Sequence, residues 1–311
     1  MREPLLPDTI SITRRSDLAP IEAALDAALV VVRERHWIES TTVERAGTGS
    51  SPVYLLDDCV VKIVPPQWRL ELDREVEATR AAHGRATVPT PELRATGTID
   101  AWAYLVCERL RGVSLKDAAS AIDARGRARV SAQVGEALAS LHAVSTEGLD
   151  VLACDWDEFT RSRVAAVQDF QRRTGLAEAA VARVPAALAE AEPLIPDARR
   201  AFLHGDLHHE HALVARDGDE WNLVGVIDFG DAIIGHPEYD LITPAFFVTQ
   251  GDRDALLALF EGFDFVCNER SSRRLAAWSA LHQFNALARF LPKDHGADAL
   301  DVLRERYWPT G

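Results

Sequence analysis

The sequence predicts an α+β fold, with a small antiparallel sheet in its first part and a larger, mainly helical second part. Three observations predict this. Short runs rich in β-branched and aromatic residues alternate with turn signals between positions 41 and 108. From 115 to 195 the chain becomes Ala-rich, with apolar residues at helical spacing. After a brief return of strand-like segments it reads as helical again from Pro237 onward. At 311 residues, 47% hydrophobic and 26% charged, the chain is long enough for two domains or one large one.

In order, residues 19–37 have helical periodicity, with Pro20 suited to a first turn. Residues 41–64 read as strand, loop, strand, turn and strand, with Asp57 and Asp58 in the turn. A helix is expected over 68–84, closed by Gly84. Two strands follow near 92–97 and 102–108, separated by a turn at Gly97–Asp100. A hinge is expected near Arg109–Gly112, where the composition shifts. Beyond it, helices are expected near 125–143, 156–173 and 176–192, and short strands at 201–203, 212–215 and 222–227. There is no internal repeat and no low-complexity tail.

The formal charge of −14 argues against nucleic acid as a partner, because gripping phosphates needs a basic face. It suits a cationic ligand, and it equally suits a surface that simply stays soluble. No apolar run reaches the length of a membrane span, and charge and proline interrupt "MREPLLPDTI", so no signal peptide is expected. The four scattered cysteines, Cys59, Cys107, Cys154 and Cys267, read as reduced thiols in a cytoplasmic protein. No feature speaks to the oligomeric state.

Only three of the 34 basic residues are lysines, so a lysine in an unusual place carries weight. Lys62 sits in "CVVKIV", an apolar strand, where an ammonium needs a partner or a wet face. Glu75 and Glu77 on the following helix offer the partner. Upstream, "GTGSSP" from Gly47 through Gly49, Ser50 and Ser51 to Pro52 could turn tightly and aim N–H groups at phosphate oxygens, although small hairpin loops are common. Asp228 ends an apolar strand in "VIDFGD", a position that suits magnesium. Asp206 precedes it by 22 residues in "FLHGDLHHEHALV", where its carboxylate could accept a proton from a hydroxyl. The four histidines of that stretch also raise a histidine-ligated metal hydrolase, but their spacing is not H-E-x-x-H and leaves Lys62 and Asp228 unexplained.

Taken together, Lys62, Glu75, "HGDLHHEH" and "IDFGD" resemble the aminoglycoside phosphotransferase family, a small-molecule branch of the protein-kinase-like fold, from about residue 40 to about 250. The resemblance implies an N-lobe over 1–108 and a helical C-lobe over 109–311 with the catalytic loop and acceptor site. It implies ATP and Mg²⁺ as cofactors, with Lys62 on the α- and β-phosphates, Glu75 or Glu77 pairing it, and Gly47 to Ser51 covering the phosphates. The Glu108 carbonyl and Leu110 amide would bond adenine, Asp206 would be the base, and Asp228 the principal metal ligand. His204 would brace the loop and Asp240 would support it. His211 stands where the family usually has asparagine. It could ligate metal through nitrogen and favour Mn²⁺, leave a position to water, or mark a weakly active nucleotide binder. Eight residues between Asp228 and Pro237 leave no room for a peptide-docking segment. The expected acceptor is therefore a small molecule with a hydroxyl, such as an aminoglycoside or other antibiotic, or a metabolite. Asp231, Glu238 and Glu261 are the acids that could face a cationic one.

Overall fold

The computed structural model describes residues 4–7, 15–47, 51–191, 200–284, 286–292 and 296–310. Gly49 and Ser50 lie outside the described residues. The chain forms two compact units. One comprises Met1–Gly84, Pro89–Arg111 and Ile227–Asp231, and the other comprises Arg85–Val88, Gly112–Val226 and Ala232–Gly311.

In the first unit, α1 (Glu22–Arg35) precedes β1 (Glu44–Arg45), β2 (Val53–Leu55) and β3 (Cys59–Val64). Then come α2 (Arg69–Ala82), β4 (Leu93–Ile99) and β5 (Trp102–Glu108). The strands form one antiparallel sheet in the order β1-β2-β3-β5-β4. Side chains alternate across a strand, so β3 serves both faces. Val61 and Ile63 join Leu25, Leu29 and Val32 of α1 in one core, while Val64 joins Leu72 and Val76 of α2 in another. Lys62 shares the α2 side with Val64.

Gly97 lies inside β4 rather than in the expected turn. A side chain there would collide with the Tyr104 ring, whose hydroxyl lies 2.3 Å from where a Cβ would stand. The turn itself falls at Asp100, which takes a left-handed φ of 51°.

In the second unit, β6 (Val113–Ser114) and α3 (Leu115–Ala118) lead into the long α4 (Ala124–His142). Helices α5 (Trp156–Arg173), α6 (Glu178–Val181) and α7 (Val184–Ala191) follow. Asp123 and Asp155 cap α4 and α5, accepting from the amides of Gly126 and Glu158. The single helix expected over 176–192 is broken between α6 and α7. Pro185 has no N–H to return to the Val181 carbonyl, and the Gln168 amide donates to that carbonyl at 3.2 Å instead.

Next come β7 (Ala201–Leu203), β8 (Ala212–Asp217), β9 (Glu220–Val226) and β10 (Ile233–Gly235). They form a β6-β8-β9 sheet and a β10-β7 pair, in which the pieces β6 and β10 are too short to show a sequence period. Helices α8 (Ile242–Phe247), α9 (Arg253–Gly262), α10 (Glu269–Leu281) and α11 (Ala299–Tyr307) complete the unit. Helices α4 and α9 cross backbone to backbone. A Cβ on Gly135 would stand 2.3 Å from the Leu259 carbonyl oxygen, and one on Gly262 would stand 2.0 Å from that of Ala132. No described helix is long and apolar enough to cross a membrane.

Candidate active site

In the first unit Lys62 Nζ donates to Glu75 Oε2 at 2.6 Å, and the two side chains are only 18% and 10% exposed. Glu77, the alternative partner, instead pairs with Arg80 on the outer face of α2. Burial alone would lower the Lys62 pKa, but Glu75 and then Asp228 hold it above the ordinary lysine range. The Glu75 carboxyl is pushed up as well. Burial raises it despite the lysine, and Asp228 adds to the rise. Each side chain supplies the counter-charge that opposes the cost of burying the other.

The segment Ile227–Asp231 brings Asp228 to this pair within the same unit. Asp228 takes a left-handed φ of 65°, and its Oδ1 accepts from the Gly230 amide at 3.3 Å. A Cβ on Gly230 would lie 3.2 Å from Asp228 Oδ1, 3.6 Å from Glu75 Oε2 and 3.7 Å from Lys62 Nζ. Glycine therefore keeps the backbone against the charged group. Asp231, one of the acids expected to face a cationic acceptor, also acts on the charges of Lys62 and Glu75.

The remaining nucleotide candidates of the first unit are less gathered. Gly47 follows β1 and Ser51 precedes β2, and the Ala46 amide bonds the Val53 carbonyl at 2.9 Å. Glu108 closes β5, with its amide donating to the Glu92 carbonyl at 2.8 Å, and Leu110 follows, half-buried.

In the second unit, "HGDLHHEH" is a tight loop between β7 and β8, held from below by the buried Asp240 carboxylate. Asp240 accepts from the amides of His204 at 2.9 Å and Gly205 at 2.8 Å, and from the His142 ring at 2.9 Å. Burial alone would raise its pKa, but the His142 bond, the charges of His142 and His204 and the Gly205 amide hold it below the usual range. Glycine at 205, with φ of 82°, allows the turn that presents Asp206.

The His211 Nδ1 bonds the Asp206 carbonyl oxygen at 2.8 Å. A carbonyl only accepts, so Nδ1 carries the proton and Nε2 of the neutral ring carries the lone pair. His208 has the opposite tautomer. Its Nδ1 accepts from the Glu210 amide at 3.0 Å, which puts a proton on Nε2, 3.6 Å from Asp206 Oδ2. The rings of His208 and His211 stack at 3.9 Å. Asp206, His208 and His211 bring ligand atoms within 4.8 Å of one another. The hydrogen bonds divide that set: the Asp206 carboxylate and His211 Nε2 can coordinate a cation, and His208 cannot while its Nδ1 holds the Glu210 amide.

The profile of the phosphotransferase enzyme family matches residues 42–278, which include both the lysine–glutamate pair and the histidine loop. The chain belongs to this family. Among solved structures of the same kinase-like fold, it is similar to the GDP and kanamycin complex of APH(2")-IIia, with 21% identity and a TM-score of 0.70, covering 90% of this chain and 98% of that one. It is also similar to the GDP complex of wild-type aminoglycoside 2'-phosphotransferase-IIIa, at 21% identity and TM-score 0.71, over 91% and 98% of the two chains. The streptomycin-ATP-APH(2")-IIa ternary complex matches at 14% identity and TM-score 0.61, over 88% and 98%.

For this family member, two expectations about the acceptor need correction or completion. Glu238 does not face a ligand, because it is buried and its two oxygens accept from the Arg274 guanidinium, an anchor the sequence gives no spacing to reveal. Glu261 is exposed on α9. The geometry adds His208, beside Asp206, and Gly230, beside Lys62 and Glu75, to the site. The D-F-G spacing was a signal for Gly230, whereas nothing in the sequence fixes the tautomer of His208.

Proposed function

We propose that this phosphotransferase moves the γ-phosphoryl group of ATP to a hydroxyl of a small molecule. The observation that carries the reading is the buried Lys62–Glu75 pair at 2.6 Å with Asp228 beside it. A buried pair is weak evidence of stability, so its presence in a perturbed, charged cluster points to a task for the ammonium.

In this reading Lys62 holds the α- and β-phosphates, Glu75 fixes Lys62, and Gly47, Gly49, Ser50 and Ser51 cover the phosphates with backbone and hydroxyl donors. The Glu108 carbonyl and Leu110 amide bond the adenine. Asp206 orients the acceptor hydroxyl and takes its proton as the oxygen–phosphorus bond forms and the bond to the β-phosphate oxygen breaks, releasing ADP. His208, protonated on Nε2, steadies the Asp206 carboxylate. In this reading Asp228 would offer a carboxylate oxygen and His211 its Nε2 to a divalent cation, and such an ion would neutralise charge on the phosphates. The imidazole tilts the preference from Mg²⁺ toward Mn²⁺. Most of the rate would come from positioning and electrostatics.

Acceptor assays should begin with aminoglycosides, because similar solved structures hold kanamycin and streptomycin. The test is ADP release from ATP across antibiotics and hydroxyl metabolites, with Mg²⁺ and with Mn²⁺. Acceptor-dependent release that Asp206→Asn removes supports the reading. Metal-dependent hydrolysis of esters or amides without ATP would instead favour a hydrolase at the Asp206, His208 and His211 cluster.

A further inference from the structure

Within the second unit a cavity of about 410 Å³ opens against the histidine loop. That volume lies in the range of small-molecule sites. Its walls include His209 of the loop, Phe247, Arg289, Phe290, Arg306 and Tyr307. Two features of this wall do not fit a polycationic guest.

The first is charge. Arg289 lies over the Phe247 ring at 5.5 Å and the Phe290 ring at 5.9 Å, and Arg306 lies over Tyr307 at 5.3 Å. Among the described residues, neither guanidinium forms an ion pair with a carboxylate, and no acid lines the cavity. The acid next to His209 in sequence, Glu210, is already engaged by Lys116 at 2.6 Å. A cation placed here meets two like charges at short range, inside the distance over which salt screens.

The second is the surface itself. Phe246 stacks on Tyr307 at 4.2 Å, and Phe290 meets Phe247 edge-on at 5.2 Å. This is a floor for a flat or apolar skeleton. It adjoins the reacting loop: Phe247 lies 5.4 Å from the His209 ring and 5.8 Å from that of His208, the side chain that reaches toward Asp206. The Nδ1 of His209 is buried without a hydrogen-bond partner, a polar atom left open in the wall on the loop side.

From this we infer that the acceptor is an anionic, ring-bearing alcohol, whose carboxylate is bound by Arg289 and Arg306 and whose ring lies on the Phe247–Tyr307 surface, and not a polycationic aminoglycoside. The inference rests on the phosphotransferase reading for its hydroxyl but not for its charge preference. The chain's overall charge of −14 does not oppose it, since the local arginines dominate at contact distance.

The test is calorimetric titration of the full chain with ADP present, using para-hydroxymethyl benzoate, its ammonium counterpart para-hydroxymethyl benzylamine, and kanamycin. The benzoate should bind at least about tenfold more tightly than the benzylamine, the difference a charge-assisted contact provides. Arg289→Glu with Arg306→Glu should reverse that order, and Arg289→Ala, a milder change, should reduce it. Equal or stronger binding of the benzylamine or of kanamycin overturns the inference, as does failure of all three to bind or a benzoate preference that survives the charge reversal. A thermal shift with ATP separates the two readings. No response to ATP with the benzoate preference intact sinks phosphotransfer alone, and ATP-dependent transfer to kanamycin in preference to the benzoate sinks the anionic acceptor alone.

Discussion

At the scale of single residues, the proposed reaction assigns the proton transfer to Asp206. Asp206→Ala is expected to lower acceptor-dependent ADP release by about a hundredfold to ten-thousandfold, while the thermal shift with ATP stays near the parent value. Glu75→Gln leaves the Lys62 ammonium without its carboxylate, and urea melts should show a loss of about 3 kcal/mol, at the low end for a broken buried pair because Asp228 and Asp231 still act on the lysine. For His211→Asn the readout is the ratio of rates with Mg²⁺ and Mn²⁺. It should rise toward Mg²⁺, and an unchanged ratio would show that the ring is not a ligand. Lys62 and its partner were legible in the sequence because strand alternation sends position 62 to the side where α2 lies. The role proposed for His208 was not, because it depends on which ring nitrogen the Glu210 amide occupies, and only the folded loop sets that.

At the scale of elements, the long helices and the main strands follow from periodicity and caps, as at Asp123 and Asp155. What escaped are features in which one residue answers to a distant one. Pro185 breaks a helix because its missing N–H concerns Val181, and Gly97 stays in a strand because Tyr104 on the next strand fills its space. The crossing of α4 and α9 is of the same kind. Gly262→Ala should cost about 1–3 kcal/mol by urea melts, since the new methyl group meets the Ala132 carbonyl and one helix must move. Nucleotide binding should be unaffected, and a neutral result would mean the helices can part without cost. Arg289 and Arg306 were invisible as a pair because they meet only where the segment after α10 and the end of α11 line one cavity.

At the scale of the whole molecule, buried histidines set the response to acid. His282 stacks on Tyr239 at 4.4 Å, and burial, with Arg163 adding to it, pulls its pKa from 6.5 down to about 3. His236 is lowered too, chiefly by burial. Below pH 6.5 the unfolded chain takes up protons that the folded chain refuses, so stability falls as pH drops, by up to about 1.4 kcal/mol per unit for each such ring. Asp240, with its depressed carboxyl, stays charged in the fold and withdraws its own contribution only as pH falls through its lowered value. The melting temperature should therefore decline steadily from pH 7 toward pH 4.5, and His282→Asn should flatten the decline. An equal slope in that variant would remove His282 as a cause. A different consequence belongs to the short return Ile227–Asp231. The first unit owes Asp228 to a stretch of chain made long after its sheet, so a ribosome that has synthesised everything through Arg111 has not yet delivered that carboxylate to Lys62. A fragment ending at the hinge would lack it permanently, which makes the small unit a late-finished product of translation rather than a detachable module.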